Sequence, residues 1–200
     1  MGITERRQRQ KEEVRAAILS TAWKLVQADG WQSLSIRKIA EAIEYSAPVI
    51  YDHFENKEAI LFEFTREGFC LLARQIAQAS EGQANPEDQI RAMADAYWSF
   101  AFTHRQHYQL MFSIGMAGCV GEGCLPEKVE FRTRMVAPIE ELLRKHGATG
   151  TDICLKYHTL WSVMHGLVSI KMMNNSDVPG ELNKLVLDDA VSGFIKNLKD

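Results

Sequence analysis

The stretch SIRKIAEAIEYSAPVIYDHF, residues 35–54, decides how this chain folds. Its first half predicts a short helix over 36–43, with Ser35 at the N-cap. The apolar residues of that helix recur at helical spacing: Ile36, Ile39, Ala40 and Ile43. After a break, Ser46 is placed to cap a second helix of two turns, where Pro48 is tolerated because it lies in the first turn. Two short helices joined by a tight turn form the helix-turn-helix pattern.

The second helix of this pattern is predicted to expose most of its side chains. On a helical wheel Phe54 falls beside Ile50, so these two residues are expected to hold the helix against a core. The residues that face away are Pro48, Val49, Tyr51 and Asp52. A helix anchored by so few residues leaves the others available to contact a groove of nucleic acid.

Helical periodicity continues on both sides of this motif, and no segment alternates convincingly with a period of two. A helix is predicted over 5–29, closed by Gly30, and a long one follows the cap residue Asn56 and runs to about residue 80. Five more are expected, over 86–103, 105–113, 127–145, 152–174 and 181–198, with a glycine-rich loop at 115–124. We therefore predict an all-α fold of about nine helices: a three-helix head over 1–57 and a helical bundle over 58–200.

Composition and charge narrow the class of protein. The apolar fraction is 46%, the charged fraction 24% and the net charge −3, which is ordinary for a globular chain. The N-terminus is locally basic, so phosphate contact is expected at that end; its basic residues are Arg6, Arg7, Arg9 and Lys11. No apolar run approaches the roughly 18–20 residues of a membrane span, and no signal peptide is evident. We expect a cytoplasmic protein with reduced cysteines and no cofactor.

Several short strings resemble the tetracycline-repressor (TetR) family of bacterial regulators. They are Ile39-Ala40-Glu41, Tyr45-Ser46, the segment from Tyr51 to Phe54, and Asn56-Lys57-Glu58. A string of the body, Trp161 with His165-Gly166, is similar to one subgroup's sensor domain. Two departures stand out. Glu44 occupies a turn position that often holds Gly, so the turn must form without a glycine's freedom at positive φ. Ala47-Pro48 replaces a frequent Lys-Gly, which removes a cationic contact.

The resemblance and the charge pattern together predict a double-stranded DNA operator as the partner. Ser46, Tyr51, His53 and Lys57 are expected to contact phosphates, with Arg37 and the basic N-terminus as further candidates. Ala47, Pro48 and Val49 offer apolar contact to thymine methyl groups. Asp52 either accepts from cytosine N4 or is a solvated charge. The full predicted DNA-binding set is Ser35, Arg37, Ser46, Ala47, Pro48, Val49, Tyr51, His53 and Lys57.

The body is predicted to bind a small, mainly apolar effector and to form a homodimer. Dimerisation through the last two helices is implied by the resemblance, and Gly166 would permit close approach of a neighbouring helix; core packing is the alternative for the same apolar faces. Large flexible side chains suit an adaptable pocket. The predicted ligand-binding set is Trp98, Phe102, Met111, Phe112, Phe131, Met135, Trp161, Met164 and His165. Effector binding is expected to shift the long fourth helix and so release a repressor from a palindromic operator.

Other readings of the sequence stay open. A metal or thiol sensor of the same fold would use His104 and His107, or Cys119 and Cys124, although neither spacing matches a known zinc pattern. A helical adaptor without DNA binding is a further alternative. An enzyme is not expected, because the chain carries no nucleophile elbow and no phosphate-binding glycine loop on a strand–helix unit.

Overall fold

The structure is a computed structural model that describes residues 2–112, 125–148, 150–172 and 180–199. Within those ranges the chain forms nine α-helices, one 3-10 turn at Trp31–Ser33 and no strand, which confirms the predicted all-α fold. The predicted glycine-rich loop lies outside the described residues. The helices are α1 (Ile3–Asp29), α2 (Ile36–Ala42), α3 (Ala47–Tyr51), α4 (Lys57–Glu81), α5 (Pro86–Thr103), α6 (Arg105–Met111), α7 (Pro126–Lys145), α8 (Ile153–Met172) and α9 (Gly180–Lys199).

The chain forms two compact units. The first, called the head below, runs to Glu67 and also includes the segment that begins at Gln106; the second, the body, contains 68–105 and the later helices. The sequence-based boundary lay at 57/58, ten residues earlier than this division. The difference arises because Ile60 and Phe64, on the first turns of α4, pack in the core of the head together with Leu110 of α6.

The head core is a cluster of apolar side chains from α1, α2, α3, α4 and α6. Three aromatic rings pack together in this core. The ring centres of Trp23 and Trp31 are 5.8 Å apart, and that of Phe64 lies 5.5 Å from each. The indole Nε1 of Trp31 donates a hydrogen bond of 2.7 Å to the carbonyl oxygen of Gln106. This bond and Leu110 attach α6 to the head. The fully buried core residues are Ile18, Ala22, Val26, Ile39, Ile50 and Ile60.

Helix α2 ends in a Schellman motif whose left-handed residue is not a glycine. The amide of Tyr45 donates to the carbonyl of Ala40 at 2.9 Å, and the amide of Glu44 donates to that of Glu41 at 3.2 Å. In a Schellman motif these two bonds form only when the residue just after the helix adopts a left-handed conformation. Glu44 takes that role, with φ at 59°. The turn therefore adopts the glycine-like conformation although the residue lacks a glycine's freedom.

In the body, α5 packs against α7, α8 and α9. Its buried face includes Tyr97 and Phe100, both fully buried. Three polar contacts join the exposed side of α5 to α9: Arg91 to Ser192 at 2.7 Å, Lys184 to Asp95 at 2.7 Å, and Lys199 to Glu87 at 3.2 Å. Burial lowers the pKa of Lys184, but its bonds to Asp188 and Asp95 outweigh this and leave the pKa raised. The amine links α9 to α5 through its ion pair with Asp95.

Candidate nucleic-acid interface

Helix α3 is held in the head by a single buried side chain of its own. Ile50 is fully buried in the head core, and Phe54, just after the helix, is buried with it. Pro48, Tyr51 and Asp52 are exposed, whereas Val49, predicted to face away, is half-buried. The prediction that Ile50 and Phe54 anchor this helix is confirmed. Two of the five residues of α3, Pro48 and Tyr51, are left exposed at the surface of the head.

The start of α3 leaves a serine hydroxyl available. Ser46 lies at the N-cap with an extended backbone, but its side chain makes no capping hydrogen bond, contrary to the sequence-based expectation. The reason is local: Pro48 has no N–H to donate, and the amide of Val49 donates instead to the backbone carbonyl of Ser46 at 3.0 Å. Because the residue is exposed, its hydroxyl can bond to an external acceptor such as a phosphate oxygen.

The start of α4 provides a second polar position. The Asn56 Oδ1 accepts a hydrogen bond of 2.8 Å from the amide of Ala59, so Asn56 caps α4 as predicted. Lys57 is the first residue of this 25-residue helix. The partial positive charge of a helix N-terminus and the lysine ammonium both favour an anion at this end.

The other predicted DNA-binding residues have varied surroundings. Arg37 is exposed on the first turn of α2. Ser35 is half-buried, and its Oγ accepts a hydrogen bond of 3.2 Å from the Lys38 amide, so it caps α2 as predicted. Ala47 and His53 are half-buried, and the Nδ1 of His53 is buried without a hydrogen-bond partner among the described residues. Tyr51 is 54% exposed, an unusual position for so large a ring.

The nine predicted ligand-binding residues divide between the two units. Met111 and Phe112 fall in the segment from Gln106 that belongs to the head, and the other seven belong to the body. The structure thus brings seven of the nine together in one unit. Among the seven, three are buried and four are half-buried: first Phe131, Met135 and Met164, then Trp98, Phe102, Trp161 and His165.

A polar pair lies among the aromatic side chains of the body. The Oη of Tyr97 is 3.3 Å from the Nδ1 of His165, and the rings of Trp161 and His165 stack 5.1 Å apart at 10°. Burial lowers the pKa of His165 below its ordinary value. His165 belongs to the predicted ligand-binding set, whereas Tyr97 does not, although it lies in the same aromatic-rich stretch of sequence. Its position on the aromatic-rich helix next to Trp98 was the available signal.

The structure changes the basis of the metal- and thiol-sensing alternatives. His107, one of the candidate sensor residues, is 4% exposed, with its ring 4.2 Å from that of Trp23. Among the described residues no group of His, Cys, Asp or Glu side chains is arranged to hold a metal ion. Cys119 and Cys124 lie outside the described residues, and Cys70 and Cys154 are exposed free thiols.

Among the described helices, none is both long and apolar enough to cross a membrane.

Comparison with known proteins agrees with this geometry. The family model for bacterial regulatory proteins of the tetR family matches residues 18–64, and that for tetracyclin repressor-like C-terminal domains matches residues 90–190. An uncharacterized HTH-type transcriptional regulator of Mycobacterium tuberculosis is 24% identical over 176 residues, which cover 86% of this chain and 78% of the relative.

Solved structures show the same fold. The TetR-family regulator PfmR of Thermus thermophilus has a TM-score of 0.64 at 17% identity, covering 90% of this chain and 97% of its own. A TetR-family regulator of Streptomyces coelicolor has a TM-score of 0.60 at 20% identity, covering 94% and 97%. The matching family models and the named relatives are those of transcriptional regulators. This chain belongs to the TetR family of DNA-binding transcriptional regulators.

Proposed function

We propose that the chain is a homodimeric repressor that binds a palindromic operator and releases it when a small, mainly apolar effector binds in the body. The observation that carries the DNA-binding part is the anchoring of α3. One buried residue, Ile50, holds the helix, while Pro48 and Tyr51 stay exposed. A recognition helix of five residues reads few base pairs, so two copies reading a symmetric site supply the affinity that one lacks.

Phosphate contacts dominate the proposed interface. Arg37, Ser46, Tyr51, His53 and Lys57 act on the DNA backbone, and Ser35 supports them by capping α2. The base-reading surface is small and apolar, formed by Ala47, Pro48 and Val49. Specificity then depends on thymine methyl groups and on the shape of the DNA. Asp52 is exposed beside this surface, and its negative charge disfavours close approach to phosphates.

The dimer is proposed to form through exposed apolar side chains of α8 and α9. Several apolar side chains of these two helices are buried inside the body itself and therefore serve its core; they include Leu160, Met164, Val168 and Val191. Other apolar residues of the same helices remain outside. They are Leu155, Val163 and Ile170 on α8, and Leu182, Leu185 and Val186 on α9. A Cβ added at Gly166 would meet no described atom within 4 Å, which leaves room there for a helix of the partner subunit.

The effector is proposed to contact the aromatic residues of the body around His165. The half-buried rings of Trp98, Phe102 and Trp161 offer apolar contact, and the Tyr97–His165 pair offers a hydrogen bond. Helix α4 begins in the head and continues into the body. A shift of α4 on effector binding would therefore move the head and change the spacing of the two recognition helices. Such release requires that the effector bind the DNA-free state of the protein more tightly than the DNA-bound state.

Selection from a randomised duplex pool, followed by binding measurements over a series of salt concentrations, tests the DNA-binding proposal. Lys57→Gln should lower the salt slope by about one per protomer, because one phosphate contact is lost. Lys24→Gln is the matched control, since Lys24 is exposed on α1, on the side turned away from Ile18. Failure to recover a symmetric, salt-sensitive site would refute the repressor proposal.

A screen of small apolar compounds for release of the selected duplex tests the effector proposal. His165→Gln should keep wild-type DNA affinity and lose the response to active compounds, because its Nδ1 is the proposed polar contact. A compound that releases DNA equally well from the variant would contradict the assignment of this site.

A further inference from the structure

The N-terminal part of α1 extends beyond the head core. Helix α1 begins at Ile3, yet residues 4–13 are all exposed, and Val14 is the first side chain packed against the core. We call residues 4–13 the α1 extension. The sequence alone suggested a basic arm here; in the structure the segment is helical, so its charges have fixed directions around the helix axis.

The core-facing side of the α1 extension carries two basic side chains and no acidic one. At about 100° per residue, Arg7 and Lys11 each lie within roughly 20° of the direction of Ile18, the centre of the core-facing stripe. The carboxylates lie at least roughly 120° away from that direction; they belong to Glu5, Glu12 and Glu13. In the described part of the chain, neither Arg7 nor Lys11 forms an ion pair with a carboxylate. The extension therefore presents two solvated cations on the same side as the core.

That side of α1 also faces the end of the recognition helix. The guanidinium of Arg15 lies 4.9 Å from the centre of the Phe54 ring and forms an ion pair of 2.7 Å with Glu63. Phe54 lies three residues beyond Tyr51, the last residue of α3. Along the axis of α1, Lys11 lies about 6 Å and Arg7 about 12 Å beyond Arg15. The two cations therefore continue outward from the position where α1 meets the end of α3.

We propose that Arg7 and Lys11 contact the phosphate backbone of duplex DNA next to each operator half-site. The inference rests on the proposed DNA-binding function and adds a surface outside the helix-turn-helix. A polyanion is the partner that matches this charge pattern, and duplex DNA is favoured because the α1 extension leads away from the point where Arg15 of the same helix contacts Phe54, three residues beyond α3. The contact is to phosphates and carries no base specificity.

The test compares two double variants with the same change in charge. Arg7→Gln/Lys11→Gln neutralises the core-facing side of the α1 extension, whereas Arg6→Gln/Arg9→Gln neutralises cations roughly 120° and 180° away. Both are measured against a duplex selected by the wild-type protein and flanked by additional base pairs, by fluorescence anisotropy over a series of KCl concentrations. Circular dichroism and thermal unfolding confirm that both variants keep the wild-type helix content and stability.

We expect Arg7→Gln/Lys11→Gln to lower the salt slope by about two per protomer, since two phosphate contacts are lost, while Arg6→Gln/Arg9→Gln keeps the wild-type slope. If the salt slope fell equally in the two variants, the inference would be overturned, because the change in net charge alone would then explain the effect. A wild-type slope in Arg7→Gln/Lys11→Gln would overturn it as well. If the wild-type protein selects no duplex, the proposed function itself fails, and this inference fails with it.

Discussion

Replacing Glu44 by glycine should stabilise the head. Glu44 holds φ at 59° in the Schellman motif that ends α2, and a residue with a Cβ in the left-handed region loses about 1–2 kcal/mol. Glycine removes that strain but increases the entropy of the unfolded chain, which offsets about 0.5–1 kcal/mol. The side chain is exposed, so little packing is lost. The free energy of unfolding of the head should therefore rise by about 0.5–1 kcal/mol.

Glu44→Ala is the matched control, because it removes the same carboxylate and keeps the Cβ. Urea unfolding and hydrogen exchange of residues 36–54 measure the difference between the two variants. A gain of 1 kcal/mol in Glu44→Gly corresponds to about fivefold slower exchange through opening of this segment. Loss of the negative charge near α3 should raise DNA affinity equally in both variants. If Glu44→Gly were no more stable than Glu44→Ala, the strain assigned to this turn would be absent.

Three further predictions follow from burial and exposure. Ile50→Ala should destabilise the head by about 2–5 kcal/mol and abolish DNA binding, because Ile50 is the one fully buried residue of α3; urea unfolding measures this, and a stable, DNA-binding variant would contradict it. The burial-lowered pKa of His165 means that the unfolded chain binds a proton more readily, so stability should fall as the pH drops below about 6.5. His165→Gln should flatten that part of the curve, and an unchanged curve would exclude His165 as its source. Leu185→Glu should give a monomer in analytical ultracentrifugation, because Leu185 is 63% exposed on the proposed dimer face. Val129→Glu, an exposed apolar position on α7, should remain dimeric; a dimeric Leu185→Glu would place the interface elsewhere.

Local patterns were sufficient to predict the elements of the head. Pro48 at the start of α3, the cap residues Ser35 and Asn56, and the pairing of Ile50 with Phe54 depend on neighbours within a few residues. Helix-forming and capping preferences act over that range, so a single sequence contains them. The capping role expected of Ser46 was wrong, because the backbone carbonyl of the same residue already accepts the one available amide.

The sequence by itself determined the all-α fold, the helix-turn-helix and the family, because these depend on short-range periodicity and motif spacing. The tertiary structure decided which side chains are covered by distant segments. His107 is buried because Trp23, 84 residues earlier, packs against its ring, and α6 joins the head through Trp31 and Gln106. The pairing of Tyr97 with His165 likewise joins α5 to α8. Such contacts depend on how helices pack, and packing is fixed by the whole core rather than by neighbours in the chain.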